Sequence, residues 1–240
     1  MTPQIWPPVH RTALKRGQHA LAACLALIFI FCGCVSLQLS QFQQHAARGD
    51  HKWIAAQAIK CQKASDGCGE LHLIKGDACF RLAKSGREPA VNFACAAEEL
   101  KKGLTLKLSW DAAGVQLQYQ ENFCESLRSL QGYQSGKTAE KTLDRLVEAA
   151  KTLYQLAPES VAAVYYLASA RLLEIEPMLG NIDAATRMPV CIRLKRTVTR
   201  VLAVMETAKG DTLPDWNRFA DNYQRLAFDL GAAMQAADCR

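Results

Sequence analysis

From Gly49 onward, apolar residues recur every three or four positions, the spacing that turns one face of an α-helix toward a core. Trp53, Ile54, Ala58 and Ile59 open the series, and Ser65-Asp66-Gly67 interrupts it. Leu71, Ile74, Ala78 and Leu82 carry it through Glu70–Ala83, up to the break at Ser85-Gly86-Arg87. Pro89, whose fixed φ suits a first helical turn, starts a segment bearing Val91, Ala94, Ala97 and Leu100. Leu143, Leu146, Val147, Ala150, Leu153 and Leu156 form a strong stripe that stops at Pro158, and Val161–Ile175 forms another that Pro177 ends. Val190–Met205 and Pro214–Ala236 complete the set; Trp216, Phe219, Tyr223, Leu226, Leu230 and Met234 share one face of the last. The pattern predicts an all-α domain over 49–240, built of antiparallel helical hairpins joined by short polar turns.

One segment fits two periods. Leu104, Leu106, Leu108 and Trp110 alternate, as do Val115, Leu117 and Tyr119 beyond Asp111-Ala112-Ala113-Gly114, which reads as a β-hairpin. Val115, Tyr119, Phe123, Leu127 and Leu130 also form a longer helical stripe. The longer pattern favours an extended piece to about Trp110 followed by a helix.

The start of the chain follows a different rule. Arg11, Lys15 and Arg16 precede an uncharged run from Ala20 to Phe31, followed by Phe31-Cys32-Gly33-Cys34. A basic flank, a short apolar core and small residues at its exit make a secretory signal. The Gly33-Cys34 end resembles the lipobox of bacterial lipoproteins, with Phe31 departing from the usual aliphatic residue. The resemblance implies a signal peptide over 1–33, lipidation of Cys34, and a polar tether over 34–48 carrying Gln38 to Gln44. Val35 rather than Asp after the cysteine leaves an outer-membrane attachment facing the periplasm as the expected localisation. An uncleaved anchor is the alternative, since Ala20 to Leu37 approaches the ~18 apolar residues of a membrane span; a plain cleaved signal is a third.

Charge and cysteines then narrow the class. The 240-residue chain has a net charge of +6, and losing Arg11, Lys15 and Arg16 without any acid brings the remainder to +3. That balance excludes the dominant basic stripe expected of a nucleic-acid binder. Arg193, Arg196 and Arg200 form one short basic row, which reads as a solvated face. Of ten cysteines, Cys61, Cys68, Cys79, Cys95, Cys124, Cys191 and Cys239 follow Cys34. An odd set in an oxidising compartment implies an unpaired thiol or an intermolecular bridge. Cys79 and Cys95 flank the turn at Gly86 and are candidates for a disulfide, as Cys61 and Cys68 are across the previous turn.

Catalytic and metal chemistry find little footing. The five histidines all lie within the first 72 residues, leaving no plausible nucleophile–base pair, so no catalytic residue is expected and the chain reads as a non-enzyme. Cys61-x6-Cys68-x3-His72-x6-Cys79 lacks the tight C-x2-C pairs of zinc motifs. No metal or cofactor is expected.

Around Leu156-Ala157-Pro158-Glu159-Ser160 the chain resembles the tetratricopeptide repeat (TPR), a 34-residue helix–turn–helix unit. Val164, Leu167 and Ala168 fall on the large, large and small packing positions of a first helix, and Lys75-Gly76-Asp77-Ala78 gives a second match with Gly76 at the small position. Cys79 and Arg171 stand where an aromatic is usual. The resemblance covers about half of the chain beyond Cys34, in degenerate form, and implies an α-solenoid whose first helices line a partner-binding groove. On this chain the groove positions are Glu70, Leu73, Asp77, Phe80 and Arg81 in one unit and Ala162, Tyr165, Ser169, Leu172 and Leu173 in the other. The function so implied is a lipid-anchored, periplasm-facing adaptor that binds a protein or peptide in envelope assembly. A transport-accessory lipoprotein similar to the TPR-containing T-component of TRAP-type transporters is the alternative.

Overall fold

The computed structural model describes residues 35–210, 213 and 215–239, and the described chain is all-helical, without a strand. Residues 35–47 form helix α1, followed by α2 (His51–Ala56), α3 (Asp66–Lys84), α4 (Pro89–Leu106), α5 (Ala113–Gln131), α6 (Gly136–Leu156) and α7 (Val161–Ile175). A 3-10 turn (Glu176–Asn181) leads into α8 (Ala184–Gly210), and α9 (Trp216–Ala236) ends the series. No helix among the described residues is long and apolar enough to cross a membrane. The signal segment 1–33 and Cys34 lie outside the described residues.

Local signals set the helix ends. The Ser65 hydroxyl accepts from Cys68 N at the start of α3, and Ser160 accepts from Ala163 N at the start of α7, each satisfying an amide that the helix leaves unpaired. Pro89 opens α4. The two-period segment differs from expectation at its start, where Leu104 and Leu106 continue α4 instead of an extended piece, and then resolves into a loop over 107–112 and α5. Asp66 holds that loop: its carboxylate accepts from Leu108 N, Ser109 N and Ser109 Oγ at 2.9, 2.8 and 2.6 Å.

Each helix from α3 to α7 packs on the next, and α3 also touches α5 while α5 touches α7. α5 therefore lies between α3 and α7, and the three line one side in that order. The approach of α3 to α4 depends on missing side chains. A Cβ on Gly76 would lie 2.7 Å from Leu100 Cγ, and one on Gly103 2.6 Å from Leu73 Cγ. The two glycines and two leucines interlock across one interface, which Cys79–Cys95 also bridges (Cα–Cα 5.9 Å).

The segment read as a polar tether is different in the structure. Residues 35–47 are helical, and Phe42 is fully buried with Ile54, Leu71 and Ala78. Gln38, Gln41, Gln43 and Gln44 give the sequence there a polar look, but Val35, Leu39, Phe42 and Ala46 supply an apolar stripe at helical spacing that packs with α2 on α3. The C-terminal end is closed by α9, which packs on α7 and α8 and is bridged to α8 by Cys191–Cys239 (Cα–Cα 5.3 Å). α7 is the hub. Eleven of its fifteen residues are buried, the signature of a helix surrounded by others.

Candidate functional site

The residues read as one groove separate into two environments. On α3, Arg81 Nε donates to Asp77 Oδ2 at 2.6 Å, and Asn122 of α5 donates to Asp77 Oδ1 at 3.3 Å. Spacing explains the first contact, since Asp and Arg four apart meet on a helix surface. The Arg81 side chain is 55% exposed. Asp77, Arg81 and Tyr119 line an open depression of about 400 Å³ with Ala46, Gly49 and His51. Burial, with the charges of Asp77 and Glu70, raises the Tyr119 phenol above its ordinary range, so the hydroxyl stays neutral and can donate. Glu70 accepts from Gln43 of α1 at 2.8 Å, and Phe80 packs edge-on against Phe93 of α4. Leu73 is buried against α4.

On α7 the equivalent positions are core. Tyr165 and Ser169 are 5% and 8% exposed, and Ala162 and Leu172 are also buried. The Tyr165 ring packs against Phe219 and Tyr223 of α9, with centroids 5.3 and 5.9 Å away. Tyr223, itself fully buried, donates its hydroxyl to Val161 O at 2.8 Å. Tyr165 and Ser169 thus line no open groove. α9 occupies the face that the register assigned to a partner, and Arg218 extends this contact by donating to Glu121 of α5 at 3.2 Å. Between the two environments, Glu125 of α5 pairs with Arg128 and Lys84. Desolvation opposes the Arg128 charge, but the Glu125 contacts outweigh it and hold the guanidinium firmly protonated.

A second cluster sits at the N-terminal end of α3. Cys61, in the loop before the helix, is bridged to Cys68 in its first turn (Cα–Cα 5.8 Å). A His72 ring nitrogen and both sulfurs lie within 4.8 Å of one another. The His72 Nδ1 contacts Glu99 Oε2 of α4 at 2.5 Å, and Lys75 and Lys102 approach the same carboxylate at 3.5 and 4.0 Å. Burial works to raise the Glu99 carboxyl, but His72, Lys75 and Lys102 together hold it below the usual range. Cys61 and His72 border an open cavity of about 490 Å³ with Glu98, Lys101, Lys102 and Thr105. Cys79 is excluded: it is bonded to Cys95, and eleven residues of helix place it about 16 Å beyond Cys68. Cys124 is the free cysteine among the described residues, fully buried, with desolvation and the nearby Glu121 and Glu125 raising its thiol well above the ordinary value. It is a core thiol with little nucleophilic character.

Sequence reading missed Tyr119 and Glu99. The Cys68–His72 spacing of four was visible, but Glu99 joins only through the register of α3 on α4. Compared with protein-family models, characterised proteins and solved structures, the chain matches none.

Proposed function

We propose that this chain is a lipid-anchored, periplasm-facing adaptor that recruits a protein or peptide during envelope assembly, on a degenerate TPR-like array of helical hairpins. The observation that carries the reading is the Asp77–Arg81–Tyr119 depression, formed by α3 and α5 with the α1–α2 turn. It offers an exposed guanidinium, a carboxylate and a phenol at one spot, and Arg and Tyr are side chains enriched where binding energy concentrates. α9 fills the other end of the same side, which confines recognition to α3 and α5. Helix α1 spans 35–47, so attachment at Cys34 holds the body close to the bilayer without a long spacer. Val35 lies beside Gly67, so an anchor on the preceding residue would set the N-terminal end of α3 nearest the membrane.

A photo-crosslinking residue at position 81 in native membranes tests the recognition face. The reading expects one discrete adduct that Asp77→Lys abolishes, with no equivalent adduct from position 196. Equal labelling from both positions sinks it. Native mass spectrometry showing a defined oligomer with a retained small metabolite would favour the transport-accessory reading instead. Palmitate labelling tests the anchor, and incorporation that survives Cys34→Ala removes it.

A further inference from the structure

The Cys61–Cys68–His72 cluster differs from the other two bridges of the described chain. Neither Cys79–Cys95 nor Cys191–Cys239 has a histidine beside it that completes a ligand set. Here an imidazole nitrogen lies within 4.8 Å of both bridged sulfurs, so once the bond is broken only a short separation of the two sulfurs is needed for all three to surround a tetrahedral ion with bonds of about 2.0–2.3 Å. His72 is buried, with Nδ1 held by Glu99. A carboxylate on one ring nitrogen fixes the ring and raises the basicity of the other, the arrangement that supports metal-bound histidines.

We propose that the reduced Cys61–Cys68 pair and His72 form a redox-gated zinc site, with Glu99 as a positioning residue. In the bridged state the sulfurs have no thiolate to offer. A dithiol reductant transfers two electrons and two protons to the disulfide, giving two thiols and becoming a disulfide itself. Zinc then displaces the two thiol protons and takes two thiolates and one nitrogen of the neutral imidazole. The charges of Zn²⁺ and two thiolates cancel, which suits a site in which Cys68 and His72 are buried. The fourth position faces the cavity bordered by Lys101 and Lys102, where water or an anionic ligand fits. Because two protons leave, affinity falls as pH drops.

The test uses the full chain, reduced with a phosphine and titrated with zinc alone, with cysteine alkylation mapped by mass spectrometry. One equivalent of zinc is expected to slow alkylation of Cys61 and Cys68 by about tenfold or more, leaving the partly buried Cys95 and Cys239 unchanged. Glu99→Gln is expected to weaken zinc binding about 10–100-fold in a chelator competition, and the oxidised chain is expected to bind none. Unchanged alkylation of Cys61 and Cys68 in the wild-type chain overturns the proposal. So does full zinc affinity in Cys61→Ser/Cys68→Ser. The alkylation readout needs no variant, so a misfolded mutant leaves the question answerable.

Discussion

The face of α3 and the face of α7 begin from the same kind of sequence and end in opposite roles. Both are first helices of the proposed units, both bury a small residue, Gly76 or Ala168, and both place polar and aromatic groups on one side. On α3 that side is largely polar and open, with Asp77 and Arg81 paired beside Tyr119. On α7 it is closed by Phe219 and Tyr223. The difference teaches that register alone does not make a groove. A position becomes a recognition site only where no later helix supplies the apolar cover, and here α9 supplies it at one end only.

The sharpest way to break the contrast is to empty the aromatic stack. Phe219→Ala, at 4% exposure, is expected to cost about 3–5 kcal/mol in urea unfolding, and a change under about 1 kcal/mol would mean that α9 is a loose cover. Removing the Cys191–Cys239 bridge, which closes 48 residues, is expected to cost about 4 kcal/mol on chain-entropy grounds, against about 3 for Cys79–Cys95, which closes 16. Reversal of that order under oxidising conditions would show the α3–α4 hairpin to depend more on its crosslink than α8–α9 does. Gly76→Ala forces a Cβ into Leu100 and is expected to cost about 1–3 kcal/mol. Arg81→Ala removes a half-exposed pair and is expected to change stability by about 0.5 kcal/mol or less; a larger loss would show the open face to be structural.

The α3–α4 interface also carries a pH signature. Glu99 is held below the usual carboxylate range in the folded chain. Its contribution is therefore fully present above the ordinary glutamate pKa and is lost as pH falls through the depressed folded value. Acid unfolding of Glu99→Gln should show a shallower slope across that window than wild type. An unchanged slope would remove the His72–Lys75–Lys102 contacts as its source.

Helix positions were legible because they rest on short-range facts. The Leu143–Leu153 stripe, the turn at Ser65-Asp66-Gly67 and the opening Pro89 each act within a few residues. The segment over 35–47 was misread because its four glutamines interrupt an apolar stripe that matters only when α3 offers Leu71 and Ala78 to cover. The candidate sites were legible in part for the same reason: Asp77–Arg81 and Cys68–His72 are spacings of four on one helix. Glu99, Tyr119 and the fate of Tyr165 were not, since each depends on a helix 27 or more residues away along the chain.

By itself, then, the sequence determined an all-helical chain, its turns and the residue types on each face, since backbone period and turn residues are local physics. The tertiary structure decided which faces stay open. Which helix covers which depends on close approaches such as Gly76 on Leu100 and on the aromatic stack beneath α9, whose partners meet only once the whole chain has packed.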